Sequence, residues 1–341
     1  MKKVAINGFG RIGRAFLRMS EGRSDFEVVA VNDLGSPESL AYLLKYDTVY
    51  GPASFPVEHQ EGKLIVNGRD LILTAEKDPT ALPWGKMGID VVVESTGVFT
   101  SYEKSKAHLT AGAKKVVITA PVKDEPSDAG VSGATILIGA NEDKFGTCDI
   151  TSNASCTTNA ASPLIGILTE KLGIKKALLS TVHAYTASQA LVDGPSKKDL
   201  REGRAAAQNI VPSTTGAAIA TTLAYPALKG KFDGISIRVP VPVGSIVDIT
   251  FLAERATTVE EVNAILKQAS TEPRWSRVFA VTNEPLVSSD IIGARFGSIA
   301  DLTMTQVVDG DLVKVLAWYD NEASYTHTLI EHVVKVIEKI Q

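Results

Sequence analysis

The first half of the chain alternates short apolar runs with stretches whose apolar residues recur at helical spacing. The apolar runs predict strands over residues 4–6, 26–31, 90–94, 116–119 and 136–138, and the first amphipathic stretch predicts a helix over residues 11–20. Strands separated by helices favour a parallel sheet that is covered by helices.

The second half follows a different pattern. After a predicted helix over residues 160–172, β-rich runs lie at residues 177–184, 234–241, 245–253, 299–306 and 312–319, with further helices predicted over 258–270 and 322–340. Several connections between these runs are too short for a crossover helix, which indicates an antiparallel or mixed sheet. The change of pattern near residue 150 predicts a domain boundary there.

A glycine-rich turn follows the first predicted strand. Residues 8–13 read Gly-Phe-Gly-Arg-Ile-Gly and open the first predicted helix. Gly8 allows a tight turn, Gly10 lets the backbone approach a pyrophosphate, and Gly13 permits close packing of the helix on the sheet. Asp33 ends the second strand, where a carboxylate accepts hydrogen bonds from the ribose hydroxyls of NAD and repels the 2′-phosphate of NADP. The sequence favours an NAD site, and a structural turn beside a solvated Asp33 is the alternative.

A thiol stands where a polar run turns into a helix. Residues 151–159 precede an apolar helical stretch and contain Cys156. The positive end of a helix dipole favours a thiolate, so this position predicts a lowered thiol pKa. His183 ends the predicted strand around residues 178–182 and is the candidate base. A small packed hydrophobe is the alternative interpretation of Cys156, and Cys148 is interpreted as structural.

The remaining histidines are predicted to lie in loops or on helix surfaces. They are His59, His108, His327 and His332.

Length and composition narrow the class of protein. The 341 residues suggest two domains, and 35 basic against 39 acidic residues give a net charge of -4, which predicts no general attraction to nucleic acid or to an acidic membrane. Two cysteines do not make a disulfide scaffold and fit a reducing compartment. We see no leader segment, no apolar run of membrane-spanning length and no cluster of metal ligands, and we expect a cytoplasmic protein without a metal.

Four stretches together resemble one known family. They read INGFGRIGR at 6–14, SNASCTTN at 152–159, VDGPSKKDLREGRAAAQNIVPSTTGAA at 192–218 and WYDNEASY at 318–325. In this order they resemble the phosphorylating, NAD-dependent glyceraldehyde-3-phosphate dehydrogenases over essentially the whole chain. We therefore expect an α/β chain with a Rossmann dinucleotide-binding domain over residues 1–155 and 322–341. The catalytic domain, residues 156–321, would be α+β with a mostly antiparallel sheet.

The resemblance implies a glycolytic reaction in which NAD and inorganic phosphate convert glyceraldehyde 3-phosphate to 1,3-bisphosphoglycerate. Cys156 would attack the aldehyde and give a thiohemiacetal, while His183 takes the hydroxyl proton and, as a cation, stabilises the thiolate beforehand. Hydride transfer would leave a thioester, and phosphate would release the acyl phosphate.

The same resemblance assigns binding residues to two anions, the phosphate group of the substrate and the attacking inorganic phosphate. Thr186 and Arg238 would hold the phosphate of the substrate. The attacking phosphate would be lined by Ser155, Thr157, Thr215 and Gly216, with Arg204 close by. Arg238 also lies in a mostly apolar run, where a bare charge needs an anionic partner. A structural ion pair at Arg238 and an ordinary loop turn at residues 213–216 are the alternatives.

The resemblance also assigns cofactor contacts. Arg11 and Ile12 would lie at the pyrophosphate, Asp33 at the ribose, Lys77 and Thr119 near the adenine and nicotinamide ends, Asn321 at the nicotinamide amide and Tyr325 on its ring. An asparagine supplies both the donor and the acceptor that an amide needs, and a helix N-cap is the other interpretation of Asn321. The Gly194-Pro195 loop departs from the bacterial pattern, which leaves strict exclusion of NADP open.

Other activities on this scaffold compete with that interpretation. A sister aldehyde dehydrogenase for erythrose 4-phosphate is one alternative, and a binding protein that retains the fold without turnover is another. The resemblance further implies a homotetramer. Ala160 stands where many relatives carry a second cysteine, four residues after the nucleophile.

Overall fold

The structure, a computed structural model, describes residues 1–196 and 199–340. Three residues lie outside the described chain. Lys197 and Lys198 belong to one of the four quoted stretches, and Gln341 is the last residue of the predicted first domain. The chain divides into two compact units. Unit 1 comprises Met1–Ile136, Asn141–Ala154 and Leu329–Gln341, and unit 2 comprises Leu137–Ala140 and Ser155–Thr328. The predicted domain ranges stay a prediction.

Unit 1 contains a nine-stranded sheet. Its strands are β1 (Lys2–Asn7), β2 (Phe26–Asn32), β3 (Val57–Gln60), β4 (Lys63–Val66), β5 (Arg69–Thr74), β6 (Val91–Glu94), β7 (Lys115–Ile118), β8 (Gly133–Thr135) and β9 (Ile150–Ser152), in the order β3-β4-β5-β2-β1-β6-β7-β9-β8. The seven strands from β5 to β8 in that order pair in parallel, and β3 and β4 extend the sheet antiparallel.

Four α-helices lie in the same unit. They are α1 (Arg11–Ser20), α2 (Pro37–Lys45), α3 (Trp84–Met87) and α4 (Tyr102–Thr110), with 3₁₀ turns at Pro79–Ala81 and Glu142–Gly146. Because the paired strands run in parallel, the loops after β1, β2, β5, β6 and β7 all leave from one edge of the sheet. Ligands bind at that edge in open α/β sheets, where the strand order reverses.

Unit 2 contains an eight-stranded mixed sheet. Its strands are β10 (Ile174–Ala184), β11 (Val211–Thr214), β12 (Phe232–Val239), β13 (Ser245–Ala253), β14 (Phe279–Thr282), β15 (Ser298–Asp301), β16 (Gln306–Val308) and β17 (Leu312–Tyr319), ordered β11-β12-β10-β13-β17-β15-β14, with β16 on β17. Two pairs are parallel, β10 with β12 and β14 with β15, and the rest are antiparallel. The predicted mostly antiparallel sheet is confirmed.

The described residues of the second half of the chain contain four α-helices. They are α5 (Cys156–Leu172), α6 (Ala217–Ala224), α7 (Val259–Ala269) and α8 (Ala323–Ile337), with 3₁₀ turns at Leu200–Gly203, Ala206–Gln208, Pro226–Leu228 and Ser288–Ile291. Both α6 and α7 contact the long buried helix α5. Residues Thr157 to Leu168 of α5 are buried all round. A helix that is apolar on every side belongs in a core, and the buried residues of α5 pack with those of the sheet of unit 2 in one cluster.

Most predicted elements lie where the sequence places them, but two do not. The β-rich run expected over residues 299–306 is two short strands, β15 and β16, with a turn between them. The strand expected over residues 136–138 is absent from the described chain, and β8 ends at Thr135. Ile136 still donates its N–H to Ser152 O at 3.0 Å, but the chain then turns at Gly139, whose φ is 83°. Ile136, Leu137 and Ile138 are at most 3% exposed, so burial in a turn produces the apolar run.

Candidate active site

The glycine-rich turn at the end of β1 is shaped by close backbone contacts. Gly8 has φ +93°, and a Cβ there would lie 2.6 Å from Thr96 N. A Cβ at Gly13 would lie 2.3 Å from Gly8 O. Around Gly10, by contrast, the described residues leave 4 Å free about the Cβ position. The turn therefore accepts only glycine at two positions and leaves open space at the third, before the first N–H groups of α1, as a pyrophosphate requires.

Asp33 lies against this turn. Its Oδ2 accepts the N–H of Phe9 at 2.7 Å, and its Oδ1 accepts the N–H of Gly35 at 2.8 Å. A carboxylate oxygen has two lone pairs, so each oxygen can accept another hydrogen bond. The carboxylate therefore has acceptor capacity for further donors such as the hydroxyls of a ribose.

The other predicted cofactor residues of unit 1 follow strand ends. Lys77 is exposed three residues after β5, Thr119 directly follows β7, and Ile12 is half-buried in α1. The Arg11 guanidinium is bound by Asp47, with Nη1 3.0 Å from Oδ2. Arg11 can therefore reach a pyrophosphate through its backbone N–H while its side chain stays on Asp47.

A buried polar network lies behind the turn, and no pattern in the sequence indicates it. Glu94 Oε2 accepts from Asn7 Nδ2 at 2.6 Å and lies 3.0 Å from His108 Nε2. The indole N–H of Trp84 donates to His108 Nδ1 at 3.1 Å, so Nε2 carries the histidine proton. Glu94 Oε1 accepts the N–H of Thr96 at 2.8 Å. The network fixes the segment against which Gly8 packs.

Two of the histidines expected on surfaces are in fact buried. His108 and His332 are 0% exposed. His332 Nε2 lies 2.7 Å from Thr151 Oγ1, and the ring packs edge-on against Phe145 with centroids 4.7 Å apart. Helix periodicity shows that a face is covered, but it does not show that a histidine has found a buried partner.

In unit 2, Cys156 is the first residue of α5. Ser155 caps the helix, and its Oγ accepts the N–H of Thr158 at 3.1 Å. The helix thus begins earlier than residue 160, and Pro163 lies in its interior. Cys156 is half-buried at the helix N-terminus.

The candidate base lies beside the thiol. His183 Nε2 is 3.4 Å from Cys156 Sγ, and His183 is 4% exposed. In the parallel pair of β10 and β12, His183 stands directly opposite Arg238. The guanidinium of Arg238 contacts His183 Nδ1, and its Nη1 donates to Ala184 O at 3.3 Å. Thiol, imidazole and guanidinium therefore form one cluster.

Burial and charge act in opposite directions on this cluster. Burial raises the pKa of the Cys156 thiol, whereas the charge of Arg238 and a hydrogen bond from Thr157 lower it. Burial also lowers the pKa of His183 to about 3, and Arg238 acts in the same direction. The helix terminus predicted a lowered thiol pKa and the family resemblance implied a histidine cation, and burial opposes both.

The candidate phosphate residues lie on several elements of unit 2. Arg238 Nε is buried and has no hydrogen-bond partner among the described residues, which fits an anionic ligand. Thr186 follows β10, with its Oγ1 3.1 Å from Ser188 Oγ. Thr215 and Gly216 precede α6, and Thr215 Oγ1 accepts the N–H of Ala217 at 3.2 Å. A helix N-terminus of this kind suits an anion.

Arg204 is placed differently from the residues around Cys156. Its Nε donates to Asp193 Oδ2 at 2.9 Å, and both side chains are more than half exposed. The same carboxylate accepts the N–H of Ala205 at 2.9 Å. The structure therefore assigns Arg204 an exposed ion pair that closes its loop.

Asn321 is oriented by the protein. Its Oδ1 accepts the N–H of Gly244 at 3.1 Å and the hydroxyl of Ser245 at 3.1 Å. With the oxygen held in this way, the amide Nδ2 is the group left to donate to a ligand. Ser245 Oγ also accepts the N–H of Ala184 at 3.1 Å, so one buried hydroxyl, missed from sequence, connects Asn321 to the strand of His183. Tyr325 is buried in α8.

Tyr319 is a second residue of the site that sequence analysis missed. Its hydroxyl lies 2.9 Å from Thr157 Oγ1 and 2.8 Å from Thr181 Oγ1, and its ring packs edge-on against His183. It is 1% exposed. The signal was present, because Tyr319 belongs to the stretch WYDNEASY, but nothing in the sequence shows which hydroxyls it reaches.

Within the described residues, no group of three or more His, Cys, Asp and Glu side chains is arranged to hold a metal ion. None of the described helices is both long and apolar enough to span a membrane.

Comparisons with known proteins agree with this geometry. Residues 2–102 match the family model described as glyceraldehyde 3-phosphate dehydrogenase, NAD binding domain, and residues 155–321 match its C-terminal domain. Similar curated proteins named glyceraldehyde-3-phosphate dehydrogenase come from Thermotoga maritima, 52% identical over 97% of this chain and 98% of the relative, and Geobacillus stearothermophilus, 48% identical over 99% and 98%. The protein of that name from Salmonella typhimurium is 45% identical over 98% of each chain.

Proposed function

The chain belongs to the glyceraldehyde 3-phosphate dehydrogenase family, and on that premise we propose that it oxidises glyceraldehyde 3-phosphate with NAD and inorganic phosphate to 1,3-bisphosphoglycerate. The observation that carries the proposal is the distance of 3.4 Å between Cys156 Sγ and His183 Nε2. A thiol with an adjacent base is the arrangement that covalent catalysis requires.

The reaction begins with a proton transfer within this pair. Cys156 passes its proton to His183 Nε2 and attacks the aldehyde carbon, and the imidazolium returns that proton to the carbonyl oxygen, which gives a neutral thiohemiacetal on sulfur. The N-terminus of α5 and the charge of Arg238 favour the negative sulfur. His183 then holds the proton of the thiohemiacetal hydroxyl as the carbon is oxidised.

When bound, NAD supplies the acceptor for the hydride that leaves the thiohemiacetal carbon, and a thioester remains on Cys156. Gly8, Gly10 and Gly13 would bind the pyrophosphate, and Asp33 the ribose hydroxyls. Asn321 would donate its Nδ2–H to the carboxamide. These assignments are supported by the open space around Gly10 and by the fixed amide of Asn321.

Inorganic phosphate then attacks the thioester and displaces the thiolate, so that the product is an acyl phosphate. Arg238 would hold the phosphate of the substrate with Thr186. The hydroxyls of Ser155, Thr157 and Thr215 and the backbone at Gly216 would hold the attacking phosphate. The buried and unpaired Arg238 Nε supports the first assignment.

One assay tests the proposed reaction. Purified protein should reduce NAD with glyceraldehyde 3-phosphate at its full rate only when phosphate or arsenate is present. Equal initial rates and extents without either anion would contradict the phosphorylating mechanism. Erythrose 4-phosphate in the same assay should be the poorer substrate, and a preference for it would favour the sister enzyme, which the named relatives do not favour.

The same proposal extends to assembly. The outer face of the sheet of unit 2 exposes Leu178, Ile235 and Leu312 at 67%, 51% and 38%. Exposed apolar surface of this kind marks a protein interface, and a homotetramer is the assembly we propose. Light scattering should give four times 36.2 kDa, and Leu178→Glu should lower that mass. A mass of one chain would contradict the assembly alone.

We also place the protein in the cytoplasm. The proposed nucleophile is a free thiol, and both cysteines are unpaired in the structure. A reducing compartment keeps such a thiol available. Fractionation of source cells tests the location, and recovery outside the cytoplasm would contradict it.

A further inference from the structure

Three buried hydroxyls form a line that starts beside Cys156. Thr157 Oγ1 lies 2.9 Å from Tyr319 Oη, and Tyr319 Oη lies 2.8 Å from Thr181 Oγ1. Thr181 Oγ1 in turn donates to Ile246 O at 3.3 Å. The three side chains are 4%, 1% and 0% exposed, so while no ligand is bound each hydroxyl hydrogen needs a partner within the protein.

While Cys156 is a neutral thiol, the carbonyl oxygen of Ile246 fixes the direction in which the three hydroxyls donate. A carbonyl oxygen can only accept, so the hydrogen of Thr181 points to Ile246 O. Tyr319 then donates to Thr181, and Thr157 donates to Tyr319. Because each hydroxyl has one hydrogen, Thr157 then has none left to donate to the sulfur of Cys156.

When the sulfur of Cys156 is negative, the opposite direction of hydrogen-bond donation is favoured. Thr157 directly follows Cys156 in the chain, and a hydrogen bond from its hydroxyl lowers the pKa of the thiol, since a bond to a charged acceptor is stronger than one between neutral groups. If Thr157 turns to the sulfur, Tyr319 can donate to Thr157 and Thr181 to Tyr319. Only the bond to Ile246 O is given up, and at 3.3 Å it is the longest of the line.

We propose that Tyr319, with Thr157 and Thr181, is a reversible hydrogen-bond relay that turns toward Cys156 when the thiol loses its proton. The thiol proton goes to His183 Nε2, and the three hydroxyls rotate without losing theirs. Tyr319 is thus a positioning residue, which delivers a donor to the sulfur through Thr157. This deepens the proposed function, since it concerns how the nucleophile of that reaction is activated.

The charged and titratable groups that face Cys156 come from three strands. They are His183 on β10, Arg238 on β12 and Tyr319 on β17. Burial raises the pKa of Tyr319, and a negative Cys156 raises it further. The phenol therefore stays protonated wherever the thiol ionises, as a relay of hydroxyl hydrogens requires.

Alkylation of Cys156 by iodoacetamide as a function of pH tests the relay. The Cys148→Ser background leaves one thiol, and the uncharged reagent is not steered by Arg238. Tyr319→Phe should raise the midpoint pH of alkylation by about one unit, a tenfold change in the ionisation equilibrium. Tyr225→Phe, at a half-buried tyrosine outside the line, is the control and should keep the midpoint.

A second pair of variants reads the far end. Thr181→Val removes the hydroxyl at nearly constant shape and should shift the midpoint in the same direction, while Thr181→Ser should restore it. An unchanged midpoint in both Tyr319→Phe and Thr181→Val would overturn the relay, as would a shift in Tyr319→Phe alone. If Tyr319→Phe does not fold, the Thr181 pair carries the test. Alkylation uses no substrate, so a failed dehydrogenase assay leaves this result readable.

Discussion

Cys156 Sγ and His183 Nε2 lie 3.4 Å apart although 27 residues separate them in the chain. Cys156, the first residue of α5, supplies the sulfur, and His183, the second-to-last residue of β10, supplies the imidazole. Both elements belong to the core of unit 2, so the pair is held by packing that neither residue provides.

The first prediction concerns the nucleophile. Cys156→Ser should lower turnover by roughly three orders of magnitude or more, because a serine hydroxyl at this site is not ionised by the neighbouring histidine. NAD affinity should stay within about twofold, since Cys156 is not placed among the cofactor contacts. Cys148→Ser is the matched control and should stay active. Initial rates and a fluorescence titration with NAD are the measurements, and a nearly active Cys156→Ser enzyme would refute the assignment.

A substitution at Arg238 should impair binding of the phosphate group of the substrate more than it impairs the reaction of the thiol with an aldehyde. Arg238→Lys retains the positive charge but loses the planar fork that grips an anion at two points. We expect KM for glyceraldehyde 3-phosphate to rise about tenfold, with much less effect on glyceraldehyde without phosphate. Steady-state kinetics with both aldehydes measures the difference. Arg255→Lys, at an exposed arginine, is the control, and equal losses on both aldehydes would show that Arg238 does not bind the phosphate.

We expect Asp33 to set the choice between NAD and NADP, and two substitutions test this. Asp33→Gly should raise the ratio of NADP to NAD usage, by about tenfold if one unit of charge repulsion at several ångströms is removed. It should also weaken both cofactors, because the N–H groups of Phe9 and Gly35 lose their acceptor. Asp33→Asn removes the charge while keeping an acceptor.

The readout for these variants is kcat/KM for each cofactor. The control is Asp70→Asn, which removes an exposed carboxylate on β5. No change in the cofactor ratio for either Asp33 variant would mean that Asp33 is not the ribose ligand.

Buried histidines predict acid sensitivity. Burial lowers the pKa of both His183 and His332 to about 3, whereas in the unfolded chain a histidine takes its proton near pH 6.5. The unfolded state therefore binds more protons between these values. The free energy of unfolding should fall as the pH drops below about 6.5, by up to roughly 1.4 kcal/mol per pH unit for each histidine.

Urea midpoints between pH 7 and pH 4.5 measure this effect. His332→Gln should have a shallower pH slope than the wild type, because the group that charges only on unfolding is gone. A glutamine at exposed His59 serves as the matched control. An identical slope in His332→Gln and the wild type would rule out His332 as a source of the acid sensitivity.

The sequence predicted the elements well where amphipathic periodicity and burial agree. The predicted bounds of α1, β13 and β17 match those of the structure, because their alternation reflects one buried face. The strand predicted over residues 136–138 is wrong for the opposite reason. Its apolar side chains belong to a turn near Trp275, and such a turn needs apolar side chains as much as a strand does. A Cβ at Gly139 would lie 2.6 Å from that indole ring.

The candidate site was predictable residue by residue but not as an arrangement. Cys156 and Asp33 follow from local position, at a helix start and a strand end. The contact of Arg238 with His183 depends on the parallel register of β10 and β12, which no local pattern encodes. Tyr319 and Ser245 act by contacting residues distant in sequence, so their roles appear only once the sheet is assembled.

Ala160, one turn into α5 and fully buried, has a consequence for survival under peroxide. A sulfenic acid on Cys156 would find no resolving thiol on the adjacent turn of its own helix, so the sulfur cannot be protected as an intrahelical disulfide. Its rescue therefore falls to small thiols from the surroundings, and continued exposure drives it to the sulfinic state. Reversal of the oxidation to sulfenic acid therefore needs a thiol from outside α5.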